Sequence, residues 1–193
     1  MLVSPFYDTA PEHASERAMA SYALLDSLHI PYQRIEHEKA ETMEVCAAVS
    51  DALGVRICKN LFLCNRQKTS FYLLMMPGEK VFKTKDLSKQ LGVARLSFAS
   101  PELSHQIGSS RLSFAPPEKM EELLGCSPGS ASVLGLHNDS GNAVRLVMDR
   151  DVYTAPYFAC HPCDNTQSLK FKTEDLLNVL LPKIGHEPII VDL

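Results

Sequence analysis

Two apolar runs dominate this chain, one at residues 55–64 and one at residues 70–76, separated by a short polar segment. In a β-strand, successive side chains point to opposite faces of the sheet. The first run then divides into two faces, with Ile57, Lys59, Leu61 and Leu63 on one and Cys58, Asn60, Phe62 and Cys64 on the other. Residues 65–69 are polar and typical of a turn, so the sequence predicts two consecutive strands over 57–64 and 70–76.

Lys59 is the anomaly in this pattern, because it shares a face with three aliphatic side chains. Lysine is almost never fully buried without a partner. Its stem can cover apolar surface while its ammonium group reaches water. Alternatively, the ammonium group binds an anion at the edge of a pocket. The segment alone favours the first explanation and leaves the second open.

Composition predicts one soluble domain over residues 1–193, since 45% of the residues are hydrophobic and 22% are charged. A net charge of −4 argues against broad nucleic-acid binding but permits contact with one end of an RNA. No apolar stretch approaches a membrane span, and residues 1–5 lack the pattern of a signal peptide. We therefore expect a cytoplasmic protein without membrane contact, whose six cysteines are free thiols.

The remaining patterns predict a mixture of helices and strands. A capping box at Thr9 indicates a helix to about residue 28, and Thr42 and Thr173 are candidate caps of two later helices. Further helices are expected at 84–91 and 116–124. Strands are expected at 32–36, 130–136, 143–148, 157–160, 168–172 and 189–192, with 130–136 and 143–148 forming a hairpin. The fold class is therefore α+β, with a central mixed or antiparallel sheet flanked by helices.

Residues 86–117 contain a tandem duplication. Residues 86–101 align without gaps to residues 102–117, and ten of the sixteen positions are identical. Two copies are too few for a solenoid. We interpret the extra copy as a helix and turn accommodated at the surface, with a device that contacts a partner or RNA as the alternative.

Cys160-His161-Pro162-Cys163 admits several chemical interpretations. Zinc needs four ligands at suitable spacing, and the sequence has no second Cys-x-x-Cys. A redox pair normally opens a helix after a strand, whereas Pro162 and the polar residues 164–166 favour a loop. A covalent hydrolase using a cysteine with His161 stays open. His161 itself is able to donate or accept a hydrogen bond near neutral pH.

Gly135 lies inside an apolar run, where glycine marks either a bulge or the close approach of a ligand. Either interpretation fits the run alone, and the bulge is the simpler one. The ligand interpretation requires backbone groups that touch a substrate or a water molecule.

Together these segments resemble the YbaK/prolyl-tRNA-synthetase-associated editing domain family, in its free-standing ProX (PrdX) branch. The resemblance covers nearly the whole chain, and its specificity lies in the order and spacing of the motifs. They are Lys59-Asn60-Leu61-Phe62-Leu63, Arg111-Leu112-Ser113-Phe114-Ala115, Pro128-Gly129-Ser130, Gly135-Leu136, His161-Pro162 and His186-Glu187-Pro188-Ile189. The second copy of the duplication occupies the family position, and the first copy is the extra one.

The resemblance implies a partly barrel-like α+β domain and a metal-independent, cofactor-free aminoacyl-tRNA deacylase. It would act in trans and remove a wrong amino acid, alanine, from proline tRNA. Lys59 would hold the terminal phosphate or ester region, Gly135 would position the water or the substrate amine, and His161 would orient the aminoacyl group. Asn60 would bind the substrate beside Lys59, with Thr42 and Ser132 as further polar lining. The tRNA's own hydroxyl is expected to assist the reaction.

The expected partner is the acceptor end of aminoacylated proline tRNA, with prolyl-tRNA synthetase as a further candidate. A monomer or a weak homodimer is expected. Two other classes of protein stay open. One is a non-catalytic module that keeps the fold and binds tRNA or a synthetase, and the other is a metal or thiol protein using Cys160 and Cys163.

Overall fold

The computed structural model describes residues 3–40, 43–65, 68–92, 96–98 and 117–193. Its helices are α1 (Glu16–Ser27), α2 (Met43–Leu53), α3 (Thr84–Gln90), α4 (Pro117–Leu124), a 3₁₀ helix (Val133–Asn138) and α5 (Arg150–Tyr153). Another helix, α6, comprises Thr173–Asp175, the π-helical segment Leu176–Leu180 and Leu181–Ile184. Its strands are β1 (Gln33–Glu36), β2 (Cys58–Asn65), β3 (Phe71–Pro77), β4 (Leu96–Phe98), β5 (Val144–Asp149), β6 (Tyr157–Cys160), β7 (Gln167–Lys172) and β8 (Ile189–Val191).

A five-stranded mixed sheet has the order β4-β2-β3-β5-β8. The predicted pair of strands at 57–64 and 70–76 is confirmed as the antiparallel β2–β3 hairpin, in which Cys58 faces Pro77 and Cys64 faces Phe71. Strand β5 then runs parallel to both β3 and β8. The hairpin is thus the centre of the sheet, and it positions Lys59 near one end.

A separate three-stranded antiparallel sheet has the order β1-β7-β6. Glu36 faces Gln167 in the β1–β7 pair, and Cys160 faces Leu169 in the β6–β7 pair. Those registers bring the residues that follow β1 and β6 to the same end of the sheet. The α+β class is confirmed, with its strands divided between two sheets, and barrel-like closure stays a prediction.

The alternation predicted for β2 is confirmed by the packing of its two faces. Cys58, Phe62 and Cys64 belong to the larger apolar core, together with residues of α1, α4 and β5–β7. Leu61 and Leu63 lie on the other face and pack in a smaller core with Phe82 and Leu87. Both faces of the hairpin are therefore covered, as its apolar composition requires.

The start of the first helix was predicted wrongly at Thr9. Helix α1 begins at Glu16, and the hydroxyl of Ser15 accepts a hydrogen bond from the Ala18 amide. The preceding segment lies along β1 instead, where Tyr7 forms a β-bridge with Arg34 and the Thr9 carbonyl accepts from the Arg34 side chain. Pairing with a neighbouring strand outweighs the local capping pattern.

The predicted hairpin of 130–136 with 143–148 is also wrong, because residues 133–138 form the 3₁₀ helix. Ser132 caps this helix by accepting from the Leu134 amide at 3.2 Å. The turn after it is retained, since the Asp139 carboxylate accepts from the amides of Ala143 and Val144. Strand β5 has β3 and β8 as its two neighbours, which leaves no edge for 130–136.

Two smaller differences concern caps and the duplication. Thr173 is the first residue of α6, and Lys172 occupies the cap position. Thr42 and most of residues 86–117 lie outside the described residues, which include α3, β4 and Pro117 from that segment.

No described helix is both long and apolar enough to cross a membrane.

Candidate active site

A cavity of about 580 Å³ opens beside the start of β2 and brings together Lys59, Asn60 and His161. One wall comes from α2, where Cys46, Ala47 and Ser50 lie on one helical face. The opposite wall is largely apolar and includes Met120 of α4 and the segment containing Gly129 and Ala131. Its full lining is Ala40, Cys46, Ala47, Ser50, Asp51, Arg56, Ile57, Cys58, Lys59, Asn60, Leu61, Phe62, Gly78, Glu79, Met120, Pro128, Gly129, Ala131 and His161.

Lys59 is half-buried at this cavity and is held by neutral groups. Its Nζ donates to the Gly78 carbonyl at 3.2 Å and to the Lys80 carbonyl. An ammonium group has three donors, so one remains for a ligand. Burial lowers the pKa of Lys59, and the nearby Glu79 carboxylate opposes that change. Since carbonyls orient the ammonium group without neutralising it, the site has the polarity to attract an anion.

Asn60 follows Lys59 in β2 and lines the same cavity. Its Oδ1 atom is buried and accepts no hydrogen bond from the described residues. An unpaired buried acceptor is costly, about 1–3 kcal/mol. A bound ligand that donates a proton to Oδ1 would remove this cost.

His161 contributes an imidazole ring whose orientation is set from behind the cavity. Its Nδ1 lies 2.8 Å from the Gln167 carbonyl and 3.2 Å from the Ser168 hydroxyl. A carbonyl can only accept, so Nδ1 carries the proton. Burial lowers the pKa of His161, the bond to Gln167 opposes this, and the neighbouring His37 lowers it further. The neutral ring therefore has its acceptor at Nε2.

A second histidine, His37, completes this arrangement. Its Nδ1 is 2.7 Å from the Glu38 carbonyl and its Nε2 is 2.9 Å from the Ser168 hydroxyl. Burial lowers the pKa of His37 as well. With Nδ1 protonated, Nε2 accepts from Ser168, and the Ser168 oxygen is then oriented to accept from His161. Sequence reasoning missed this pair, because the β1–β7 register and not a local motif joins residues 37 and 168.

Of the other predicted residues, Gly135 and Ser132 do not line the cavity. Gly135 lies in the 3₁₀ helix, where an added Cβ would be 2.5 Å from the Leu124 carbonyl of α4. Its close approach is therefore to another helix. Ser132 is fully buried as the cap of the same 3₁₀ helix, next to Ala131 in the wall. Thr42 lies outside the described residues.

The cysteines of the Cys-His-Pro-Cys segment lie in the core. Cys160 is buried at the end of β6, and burial raises its pKa. Cys163 is buried near Cys126, and its Sγ atom accepts from the Ser21 hydroxyl at 3.5 Å. Among the described residues, no three His, Cys, Asp or Glu side chains are grouped to hold a metal ion. The segment therefore contributes His161 to the cavity, and its thiols pack away from it.

This fold and cavity belong to a recognised class of protein. The sequence model of the aminoacyl-tRNA editing domain matches residues 37–104 and 101–179. The chain is a member of the aminoacyl-tRNA editing domain family. The two matched segments meet at residues 101–104, inside the duplicated region.

Individual relatives and structures are similar over most of their length. The prolyl-tRNA editing protein ProX of Acetoanaerobium sticklandii is 29% identical over 161 residues, which are 83% of this chain and 88% of the relative. The prolyl-tRNA synthetase associated domain-containing protein 1 of Mus musculus is 30% identical over 174 residues, 87% of this chain and 91% of the relative. A crystal structure of a candidate trans-editing enzyme for prolyl tRNA synthetase has a TM-score of 0.63 at 16% identity, covering 94% of this chain and 98% of that chain. At this identity the structure supports the fold alone.

Proposed function

We propose that this protein is a trans-editing deacylase that hydrolyses the ester of mischarged proline tRNA, with alanine as the amino acid removed. Membership of the editing family supports the reaction class, and similarity to a prolyl-tRNA editing protein supports the tRNA. The observation that carries the proposal is Lys59, a half-buried ammonium group with neutral partners at the mouth of a largely apolar cavity.

Lys59 binds the anionic part of the substrate next to the ester. Its remaining N–H donor contacts one oxygen of the terminal phosphate or of the ester region. No described carboxylate accepts a hydrogen bond from Nζ, so the third donor is available to the substrate, with Glu79 as the nearby opposite charge. Charge-assisted hydrogen bonds of this kind are about twice as strong as neutral ones.

His161 and Asn60 orient the aminoacyl group. The Nε2 atom of neutral His161 and the Oδ1 atom of Asn60 are both acceptors at the cavity, and the α-ammonium group of an aminoacyl ester is a donor with three protons. A water molecule, assisted by the tRNA's own hydroxyl, then attacks the ester carbonyl carbon, and the C–O bond to the ribose oxygen breaks to give the free amino acid and a ribose hydroxyl. Proton transfer is left to the substrate and water.

The cavity volume is consistent with more than the amino acid alone. About 580 Å³ is typical of a ligand pocket for a drug-sized molecule, which is larger than an alanyl group. The same cavity would therefore hold part of the terminal nucleotide. Selectivity is needed because a synthetase discriminates by only about 1–3 kcal/mol against a substrate that lacks a methylene group.

A deacylation panel tests the proposal. Proline tRNA charged with alanine, cysteine, serine or proline is incubated with the wild type, with Lys59→Ala, and with Lys183→Ala as a control for an exposed lysine outside the cavity. We expect the wild type and Lys183→Ala to hydrolyse the alanyl ester fastest and to spare the prolyl ester. Lys59→Ala should be at least 100-fold slower, the size of effect seen when one stabilising donor is removed.

Two outcomes would contradict the assignment. Equal hydrolysis by the wild type and Lys59→Ala would remove the role of Lys59. Tight binding of alanylated proline tRNA by the wild type without turnover would instead support a non-catalytic binding module.

A further inference from the structure

The site cavity is the first of three cavities that adjoin one another. It shares Arg56 and Cys58 with a second cavity of about 310 Å³. That cavity shares residues 155–157 with a third one of about 510 Å³. We call the second and third cavities together the exit groove, which is formed by parts of residues 54–58, 77, 151–157 and 172–178. It leads away from the place where the aminoacyl group would bind.

Aromatic rings lie along this groove with much of their surface in solvent. Tyr157 lines both cavities of the groove and is 44% exposed, and Tyr153 lines the third cavity and is 40% exposed. The Lys170 ammonium group lies 5.9 Å from the Tyr157 ring centre, so a cation already neighbours this ring. Exposed rings next to a cation are the arrangement on which nucleic-acid bases stack.

Two basic side chains of the groove are placed where they could contact phosphates. Arg56 is 82% exposed and stands where the site cavity meets the groove, with one contact to Glu79. A guanidinium group has five donors, so this contact leaves others for a phosphate. Lys172 is exposed in the third cavity. The groove also contains two carboxylates. Asp151 is paired with Lys80, whereas Glu174 lines the third cavity and would repel a phosphate.

A residue with an unsatisfied buried polar atom also lines the far end. Thr173 lines the third cavity, and its buried Oγ1 atom has no hydrogen-bond partner among the described residues. A hydroxyl can both donate and accept, so either a ribose hydroxyl or a phosphate oxygen would satisfy it. A ligand that extends from the site to this point would be long, thin and polar on one side.

We infer that the exit groove binds the single-stranded 3′ end of the tRNA substrate, with Tyr157 as a stacking platform for a base. This inference rests on the proposed function, because it takes the aminoacyl ester to lie in the site cavity. The nucleotides that precede the ester must leave that cavity, and the groove begins where its wall contains Arg56. A groove of rings and separated cations matches single-stranded RNA better than a folded protein surface.

The test compares a long and a short substrate. Deacylation is measured for alanyl proline tRNA and for alanine esterified to adenosine, which lacks the preceding nucleotides. Tyr157→Ala should lower kcat/KM on the tRNA by roughly 5- to 150-fold, the range for loss of one stacked base. It should leave hydrolysis of alanyl adenosine unchanged. Tyr157→Phe, which keeps the ring, should retain wild-type rates on both substrates.

Two further variants control for the chemistry of the groove. Tyr7→Ala removes an exposed ring of similar accessibility outside the groove and should leave both rates unchanged. Arg56→Gln should weaken the salt dependence of KM for tRNA by about one phosphate contact. An equal loss by Tyr157→Ala on both substrates, or no loss on the tRNA, would overturn the inference.

A binding measurement separates this inference from the proposed function. A four-nucleotide RNA with the sequence of an unpaired tRNA 3′ end is titrated into the wild type and into Tyr157→Ala. Binding that depends on Tyr157 supports the groove even if the wild type hydrolyses no alanyl ester. Equal binding by the two proteins overturns it even if the wild type is an active deacylase. If Tyr157→Ala weakens binding to prolyl-tRNA synthetase but not to the RNA, the groove binds that protein instead, and the inference is likewise overturned.

Discussion

Lys59 in β2 and Lys80 in the loop after β3 lie close together, yet their ammonium groups have opposite kinds of partner. Lys59 donates to the Gly78 carbonyl and to the Lys80 carbonyl, which are neutral, and the Glu79 carboxylate acts on it without a hydrogen bond. The Lys80 ammonium group instead contacts the fully buried Asp149 carboxylate at 2.8 Å and Asp151 at 2.8 Å. One lysine is oriented for an external anion, and the other connects the loop to β5.

The pKa values of the two lysines move in opposite directions because their partners differ in charge. Burial lowers the pKa of Lys59, and only Glu79 opposes it. Burial would also lower the pKa of Lys80, but its hydrogen bonds to Asp149 and Asp151 outweigh that effect and raise it. Neutral partners thus orient a reactive group, whereas charged partners stabilise the fold. His161, held by the Gln167 carbonyl and the Ser168 hydroxyl, belongs with Lys59.

Replacing each lysine with methionine should separate the two roles. Lys80→Met leaves the buried Asp149 carboxylate without its cation, so we expect the free energy of unfolding to fall by about 2–3 kcal/mol. Lys59→Met breaks bonds to carbonyls but removes the desolvation of an ammonium group, and we expect a loss of no more than about 1 kcal/mol. Urea unfolding measures both. Equal losses of unfolding free energy in the two variants would contradict the contrast between the two lysines.

As the pH falls, protonation of His37 and His161 should destabilise the folded protein before protonation of the carboxylates does. Burial lowers the folded-state pKa of His37 and His161 below the value of 6.5 expected in the unfolded chain. The unfolded chain then binds protons that the folded protein does not, so stability is complete above pH 6.5 and is lost as pH falls below it. Between pH 7.5 and 6.0 we expect a fall of at most about 1 kcal/mol for each histidine.

Urea unfolding of the wild type and of His37→Gln at these two pH values checks this expectation. The variant lacks one of the two groups and should lose less stability on acidification. The Asp164 carboxylate, whose pKa is lowered by hydrogen bonds from Ser15 and Thr166 despite the opposing effect of burial, responds only at lower pH. A larger loss of unfolding free energy on acidification in His37→Gln than in the wild type would contradict the role assigned to His37.

Ser168→Ala tests whether the neutral partners of His161 matter for the reaction. The change removes one of two acceptors at Nδ1 and leaves the Gln167 carbonyl. Loss of one hydrogen bond predicts a decrease in kcat/KM for alanyl proline tRNA of about 2- to 10-fold. Nitrogen NMR of the His161 ring reports the tautomer, which should keep its proton on Nδ1 because the Gln167 carbonyl remains. Ser21→Ala, a buried serine in α1, should change neither property.

Local patterns predicted the parts of the fold that depend on local chemistry. The alternation in residues 57–64 and the polar turn after it predicted the β2–β3 hairpin, and the two faces of β2 pack as expected. The strand predicted at 157–160 has the bounds of β6, and the strand predicted at 168–172 begins one residue after β7 does. These segments succeed because a period of two is visible in a few consecutive residues.

Other predictions failed where a distant part of the chain competes with the local pattern. Residues 130–136 have a strand-like composition, but both sides of β5 are occupied by β3 and β8, and residues 133–138 form a 3₁₀ helix. Gly135 packs against the Leu124 carbonyl, and its predicted contact with a ligand stays a prediction. Apolar composition indicates burial, but it does not specify which neighbour covers the residue.

The sequence by itself determined the chemical groups at the site and the strand that presents two of them. Lys59 and Asn60 are adjacent in β2, so one hairpin positions both. Only the tertiary structure decided what each group faces, from the carbonyls at Lys59 Nζ to the Ser168 hydroxyl between His37 and His161. Those partners come from distant residues joined by strand pairing and burial, and short-range periodicity carries no information about such contacts.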